Sequence, residues 1–213
     1  NTGKRIWKIQ LHANVRHAPV ISEGIVYFGS YDQYLYAVDA KTGKQKWSFK
    51  TKGGVLSTPT IADDVVYISS HGKLLYAVNK KTGSKIWQFK TKGDVVSTPV
   101  IFDRLVYFGT RGKYLYAVDA KTGLEEWKYR THGGVLSSPA VSEGVVYFGC
   151  FGRKLYALQR ISLINVYGKV TNAATGQPIQ TDLTIYCLDN NKIIGYAKND
   201  PETGNYIITY LDT

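Results

Sequence analysis

The sequence predicts an all-β protein built mostly from one four-stranded unit repeated along the chain. Three observations carry this. The four tryptophans, Trp7, Trp47, Trp87 and Trp127, stand 40 residues apart. The stretch Tyr36-Ala37-Val38-Asp39-Ala40-Lys41-Thr42-Gly43 ahead of Trp47 returns almost unchanged ahead of Trp87 and Trp127. Each period also holds short runs rich in Val, Ile, Tyr, Phe and Trp, cut by Gly, Asp and Thr, which are strand and turn residues respectively. Four strands in every 40 residues is the sequence signature of a β-propeller blade.

Within residues 1–160 the repeats align without a gap. Each opens on a Pro after small or polar residues (Ala18-Pro19, Thr58-Pro59, Thr98-Pro99, Ser138-Pro139), as fits the start of a strand whose first N–H need not join a ladder. A short acidic or Gly turn follows, then a strand such as Ile25–Gly29. A polar turn (Tyr31-Asp32-Gln33, His71-Gly72-Lys73, Arg111-Gly112-Lys113, Phe151-Gly152-Arg153) leads to the Tyr-Ala-Val strand. Asp39, Asn79 and Asp119 then precede Lys-Thr-Gly, where a short polar side chain can bond local N–H groups, so they read as turn-formers. The last strand alternates, with Trp47 and Phe49 on one face and Lys46, Ser48 and Lys50 on the other.

The ends of the array are defective in complementary ways. Thr2–Ile9 is a Trp strand with no three strands before it, while Leu155-Tyr156-Ala157-Leu158 runs into Gln159-Arg160 with no Thr-Gly and no Trp strand. The expectation is a four-bladed ring in which the N-terminal strand closes the last blade and leaves no exposed edge. Two other arrangements stay open: part of a larger ring, and two chains forming one eight-bladed ring.

The pattern Leu-Tyr-Ala-Val-Asp-Ala-Lys-Thr-Gly-x-x-x-Trp resembles the tryptophan-docking motif of PQQ-type propeller repeats, over residues 1–160. The resemblance implies that Trp7, Trp47, Trp87 and Trp127 are inter-blade pegs, with Ala37, Ala77, Ala117 and Ala157 giving them room. From Ile164 the period is lost. Gly168-Lys169-Val170-Thr171-Asn172-Ala173-Ala174-Thr175-Gly176-Gln177-Pro178-Ile179, with the later Asp200-Pro201-Glu202-Thr203-Gly204-Asn205-Tyr206, is similar to the carboxypeptidase regulatory-like domain, a small transthyretin-like β-sandwich. That family implies about seven strands; four are countable in residues 161–213, so a partial sandwich is expected. The chain starts at Asn1, contains no Met and shows no signal peptide, which reads as a processed or excised piece. Nothing approaches the roughly 20 apolar residues of a membrane-spanning helix.

No catalytic, cofactor or metal site is expected. The His residues have no ligand spacing, and His12 and His132 occupy equivalent repeat positions that elsewhere hold Lys52 and Lys92. Quinoprotein dehydrogenases need a calcium site, a catalytic Asp and adjacent Cys, whereas Cys150 and Cys187 lie far apart. One Cys in each module indicates no disulfide framework, and a single bridge between modules stays open. Lys52-Gly53-Gly54 and His132-Gly133-Gly134 lack the Gly-Lys-Ser/Thr of a phosphate loop and read as connections needing positive φ.

Charge supplies the functional signal. Residues 1–160 carry 24 Lys/Arg against 11 Asp/Glu, +13, whereas residues 161–213 carry 3 against 5, −2. In a propeller, the loops before the first strand and those between strands two and three share one face. Here that face holds His12, Arg16, Lys52, Lys92 and His132, joined by His71, Lys73, Arg111, Lys113, Arg153 and Lys154, against Asp32 and Asp94. Glu23, Asp63, Asp64, Asp103 and Glu143 fall on the opposite face. A basic rim suits an acidic protein partner or an anionic glycan. Few aromatics interleave there, which argues against nucleic acid. The bland alternative is that Lys-rich turns merely keep a β-protein soluble. The pairing of propeller and regulatory-like domain resembles modules of bacterial cell-envelope proteins. This implies a non-enzymatic binding scaffold, periplasmic or at the outer membrane. The alternative is a lectin-like propeller with repeated ligand sites between blades.

Overall fold

In the computed structural model, residues 2–159 are described throughout. Beyond them are described the backbone of residues 163–169, 184–189, 192–198 and 205–211, together with Thr175, Gln177 and Thr203. The chain divides into two compact units, Asn1–Leu158 and Gln159–Thr213.

The first unit is a series of antiparallel sheets. Sheet I is β1 (Val20–Ser22), β2 (Ile25–Gly29), β3 (Tyr34–Asp39) and β4 (Gln45–Lys50). Sheet II is β5 (Thr60–Ala62), β6 (Val65–Ser70), β7 (Leu74–Asn79) and β8 (Lys85–Lys90). Sheet III is β9 (Val100–Phe102), β10 (Leu105–Gly109), β11 (Tyr114–Asp119) and β12 (Glu125–Arg130). Sheet IV has three strands, β13 (Ala140–Ser142), β14 (Val145–Cys150) and β15 (Lys154–Gln159). Each strand pairs with its neighbour in sequence, the meander expected of a propeller blade. Each repeat Pro sits one residue before the inner strand, where its missing N–H costs no ladder bond.

The turns follow the local chemistry. Asp39 Oδ1 accepts hydrogen bonds from the N–H groups of Lys41 (3.1 Å) and Thr42 (2.9 Å) and from Thr42 Oγ1 (2.9 Å). Asn79 and Asp119 repeat the arrangement with Thr82 and Thr122. Hydrogen bonds from Thr42, through its hydroxyl and then its N–H, hold the Asp39 carboxyl below its ordinary range. The Thr122 N–H and hydroxyl do the same for Asp119.

Successive sheets pack face to face through three apolar clusters. Tyr27, Leu35 and Ala37 of sheet I meet Val66, Ile68 and Tyr76 of sheet II, with Val55 from the loop between them. Tyr67, Leu75 and Ala77 meet Val106, Phe108 and Tyr116 in the same way, and Tyr107, Leu115 and Ala117 meet Val146 and Phe148. The tryptophans peg these interfaces. Trp7, Trp47 and Trp87 donate from Nε1 to the carbonyls of Ala40 (2.9 Å), Lys80 (3.1 Å) and Ala120 (3.0 Å), each in the following sheet. Their rings lie over Gly43, Gly83 and Gly123, left-handed residues where an added Cβ would stand 2.9, 2.8 and 2.6 Å from ring carbons. Glycine is therefore required there for two reasons, its positive φ and the ring above it. Ala37, Ala77 and Ala117 pair across the sheet with Trp47, Trp87 and Trp127 of the same blade.

The sequence reading needs correction at the array's ends. The Trp7 peg is in place, but the backbone of residues 2–10 joins no strand among the described residues, and sheet IV stays three-stranded. The expected closure of the last blade by the N-terminal strand is therefore not made. In a repeat array each sheet is positioned only by its immediate neighbours, so docking in pairs does not itself bring the two ends together. Trp127 is also exceptional: its Nε1 is buried without a hydrogen-bond partner. Repeat position 160 would supply the carbonyl and lies outside the described residues, and no Thr-Gly follows it.

The second unit is one antiparallel sheet ordered β16 (Leu163–Lys169), β19 (Asn205–Leu211), β18 (Lys192–Lys198) and β17 (Thr184–Asp189). The strands counted in the sequence are present as this single sheet. Cys150 is a free thiol; the side chain of Cys187 lies outside the described residues. No helix among the described residues is long and apolar enough to cross a membrane.

Candidate functional site

All ten candidate side chains, His12, Arg16, Lys52, His71, Lys73, Lys92, Arg111, Lys113, His132 and Arg153, are exposed. They lie at the end of the sheets where β2–β3 and its equivalents turn. Backbone hydrogen bonds join the two loop sets. The N–H groups of Tyr31, His71, Arg111 and Phe151 donate to the carbonyls of Asn14, Gly54, Asp94 and Gly134 at 2.9–3.0 Å. Lys52 is thereby set beside His71 and Lys73, Lys92 beside Arg111 and Lys113, and His132 beside Arg153.

The approach is close enough to require glycine. A Cβ on Gly72 would stand 1.6 Å from the Lys52 carbonyl oxygen, and one on Gly112 2.3 Å from that of Lys92. Of Gly53, Gly54, Gly133 and Gly134, only Gly53 has positive φ (124°). The expectation that these glycines supply positive φ thus holds at Gly53 alone; at Gly133 close backbone contact is the reason, since an added Cβ would stand 1.5 Å from the Phe151 carbonyl oxygen, whereas at Gly54 the nearest backbone atom would be 3.3 Å away and at Gly134 the nearest atom is a Leu136 side-chain carbon at 2.9 Å.

A second set of bonds locks the turns. Thr91 donates from N–H (3.0 Å) and Oγ1 (3.1 Å) to the Lys73 carbonyl, and Thr131 donates likewise to Lys113 (2.9 and 3.1 Å). Tyr76 and Tyr116 hydroxyls accept from the N–H groups of Lys52 (2.9 Å) and Lys92 (3.3 Å). Lys73, Lys113 and Arg153 adopt the left-handed conformation, with φ of 57°, 67° and 62°. Long side chains are uncommon there, Gly and Asn being the usual occupants. The rim thus displays cations from a conformation that disfavours them.

Charge compensation differs between the two ends of the sheets. On the rim, His71 Nδ1 lies 3.1 Å from Asp94 Oδ2, and Arg16 stacks over the Tyr31 ring at 4.8 Å. Among the described residues no ion pair engages Lys52, Lys73, Lys92, Arg111, Lys113 or Arg153. At the other end, Lys80 Nζ binds Glu23 (2.9 Å) and Lys81 binds Asp64 (3.1 Å). The Glu23 hydrogen bond raises the Lys80 pKa above its ordinary range, keeping that ion pair charged. Arg130, which the sequence reading passed over, joins Lys113, Thr131 and His132 around a shallow cavity of about 330 Å³. Its signal was the basic residue three places after Trp in three of the four repeats, Lys50, Lys90 and Arg130, where the first has Gln10. A second cavity of about 570 Å³ lies along the inner strands and is mostly apolar, lined by Val20, Pro59, Ile61, Pro99 and Ile101 with Thr58, Thr60 and Thr98 among them.

The sequence profile of the family described as outer membrane protein assembly factor BamB matches residues 1–98 and 90–163. No curated protein matches the chain in sequence. Among solved structures, BamB from Moraxella catarrhalis is similar at 16% identity, over 96% of this chain and 85% of that one, with a TM-score of 0.64. The computationally designed Ika4 protein is similar at 14% identity, over 74% and 99%, with a TM-score of 0.67. A quinohemoprotein alcohol dehydrogenase, ADHIIG from Pseudomonas putida HK5, is similar at 17% identity, over 97% of this chain and 43% of that one, with a TM-score of 0.63. At such identities the structural likeness is one of fold.

Proposed function

The chain belongs to the family of the outer membrane protein assembly factor BamB, and from that premise we propose a non-enzymatic protein-interaction scaffold of the bacterial cell envelope. Its setting is periplasmic or at the outer membrane. The basic rim of the propeller unit is the docking surface, and the second unit is a partial carboxypeptidase regulatory-like module acting as a spacer. The observation that carries the reading is the set of rim cations Lys52, Lys73, Lys92, Arg111, Lys113 and Arg153, which have no ion-pair partner among the described residues and are held on loops locked to one another by backbone and threonine hydrogen bonds.

The chemistry favours an acidic segment of a partner protein. Cations on a locked backbone lose little further backbone entropy on binding, and only their side-chain freedom remains to be lost. Exposed charges attract over a Debye length of about 8 Å at physiological salt, so several cations on one rim act on the same ligand. The carboxyl groups of Asp39 and Asp119 are spent on their own turns, which supports a role other than catalysis.

The test is binding of a fluorescent Asp/Glu-rich peptide, followed by anisotropy. The expected result is one site per chain, weakened by salt. The triple variant Lys73→Glu, Arg111→Glu, Lys113→Glu should bind at least tenfold more weakly, about 1.4 kcal/mol. Unchanged capture by the triple variant refutes the rim as the docking surface. In a parallel titration with a sulfated oligosaccharide, several equivalent sites per chain favour the lectin-like alternative. Against it stands the filling of the spaces between sheets by buried Leu, Val, Tyr and Phe side chains.

A further inference from the structure

The rim end of sheet III carries a cation cluster that differs in kind from its repeats. The β11–β12 register sets Tyr114 opposite Arg130, so Lys113 and Thr131 face each other just beyond the strands. The Thr131 N–H donates to the Lys113 carbonyl at 2.9 Å, and its hydroxyl shares one proton between the Lys113 and Gly133 carbonyls (3.1 and 2.6 Å). Thr131 is thereby buried, while Arg130 and His132, on either side of it in the alternation of an extended chain, are exposed. With Lys113 they line the cavity of about 330 Å³, and no carboxylate lines it. Sheet II places Lys73, Lys90, Thr91 and Lys92 at these positions, and sheet I places Gln33, Lys50, Thr51 and Lys52. There Lys92 lies over the Tyr114 ring at 5.8 Å and Lys50 over the Tyr34 ring at 6.0 Å. Among the described residues no ion pair or ring contact engages the side chain of Arg130 or His132.

We propose that the Lys113–Arg130–His132 cavity is a binding site for a phosphate monoester. The site stands apart from the docking reading, since it needs Arg130 and His132 and no acidic protein partner. A phosphate monoester carries a charge of about −1.5 to −2 at pH 7 and three acceptor oxygens. Three basic side chains of three kinds match it. The Arg130 guanidinium spans two oxygens with its fork, the Lys113 ammonium supplies a point charge, and a His132 ring N–H reaches the third oxygen. A carboxylate, with one charge and two oxygens, leaves one of the three without a partner. Sheet II offers three ammonium groups and no fork, so the same charge there lacks the geometry. The Thr131 bonds fix the backbone of Lys113 and of the Arg130–His132 segment against each other before a ligand arrives. A volume of about 330 Å³ lies at the small end of ligand pockets, roughly 300–1,000 Å³, which suits a phosphorylated small group. A sugar phosphate and a lipid headgroup ending in a phosphate monoester present the same chemistry.

The test compares ligands and repeats on the full chain. Glucose 6-phosphate and glucuronate are titrated by calorimetry. In parallel, phosphatidylcholine vesicles doped with phosphatidic acid are sedimented with the protein, against the same vesicles doped with phosphatidylglycerol, whose phosphate is a diester. The expected result is one phosphate site per chain, with glucuronate bound at least about tenfold more weakly. Arg130→Gln should weaken phosphate binding at least about tenfold, since it removes hydrogen bonds to a charged group. Lys90→Gln, the equivalent change in sheet II, should leave it unchanged. Arg130→Lys with His132→Lys retains basic side chains but copies sheet II, and should abolish the preference for phosphate over glucuronate. Arg130-dependent binding of the sugar phosphate supports the site with a soluble source. Arg130-dependent retention on phosphatidic acid above phosphatidylglycerol supports it with a lipid headgroup as the source. The proposal is overturned if neither occurs, if glucuronate binds as tightly, or if Lys90→Gln loses as much as Arg130→Gln, which means diffuse attraction to the rim. Capture of the acidic peptide by Arg130→Gln is measured alongside: Lys73, Arg111 and Lys113 are intact in that variant, so peptide docking and phosphate binding fail separately.

Discussion

The sharpest energetic contrast lies between two tryptophans at the same repeat position. Trp87 is buried, donates to the Ala120 carbonyl at 3.0 Å and lies over Gly123; Trp127 has the same strand context, but its buried Nε1 has no acceptor. Replacing Trp87 by Phe loses one hydrogen bond, worth about 0.5–1.5 kcal/mol. It also loses the apolar area by which indole exceeds phenyl, roughly 1 kcal/mol at about 25 cal/mol per Å². The Ala120 carbonyl is not orphaned, because the Tyr67 hydroxyl also donates to it at 3.2 Å. The expected cost is therefore about 2 kcal/mol. Trp127→Phe loses similar area but removes an unsatisfied donor whose burial costs about 1–3 kcal/mol. It should be near neutral or mildly stabilising. Urea unfolding followed by circular dichroism, with the slope checked for constancy, measures both variants. If Trp127→Phe destabilises as much as Trp87→Phe, then Trp127 donates as its relatives do and the sheet III–IV peg is complete.

Two further outcomes follow from local geometry. Lys113→Gly relieves a left-handed residue and should stabilise the fold by about 0.5–1 kcal/mol, while weakening binding of the acidic peptide; a stability gain with binding unchanged would place Lys113 outside the docking surface. The Asp39 and Asp119 pKa values are lowered from 3.8, so their contribution to stability is present above pH 3.8 and disappears as pH falls through the still lower folded values. Asp39→Asn with Asp119→Asn keeps the turn acceptors, as Asn79 does, and should flatten the loss of stability in that acid range; an unchanged acid slope in denaturant titrations would assign the loss to other carboxylates.

The sequence by itself determined the repeat, the strand order, the turn-formers and the identity of the pegs. These are one-dimensional properties. A period of 40 with Val and Tyr runs specifies a meander, and Asp39-Ala40-Lys41-Thr42-Gly43 writes its own turn through contacts two or three residues apart. The basic character of the rim was legible for the same reason, since Lys52, Lys73, Lys92 and Lys113 recur at fixed repeat positions. Tertiary structure decided the rest. That Gly72 is needed for the Lys52 carbonyl, that Thr91 and Thr131 lock the Lys73 and Lys113 turns, and that Arg130 reaches the His132 cavity all depend on contacts between separate loops. The largest difference is at the ends. Complementary halves in sequence suggested a ring closed within one chain, yet among the described residues Thr2–Gln10 and the outer edge of β15 remain unpaired. Whether two such halves meet depends on the rotation between successive sheets, which accumulates from side-chain packing at three interfaces and leaves no mark in the local pattern of residues.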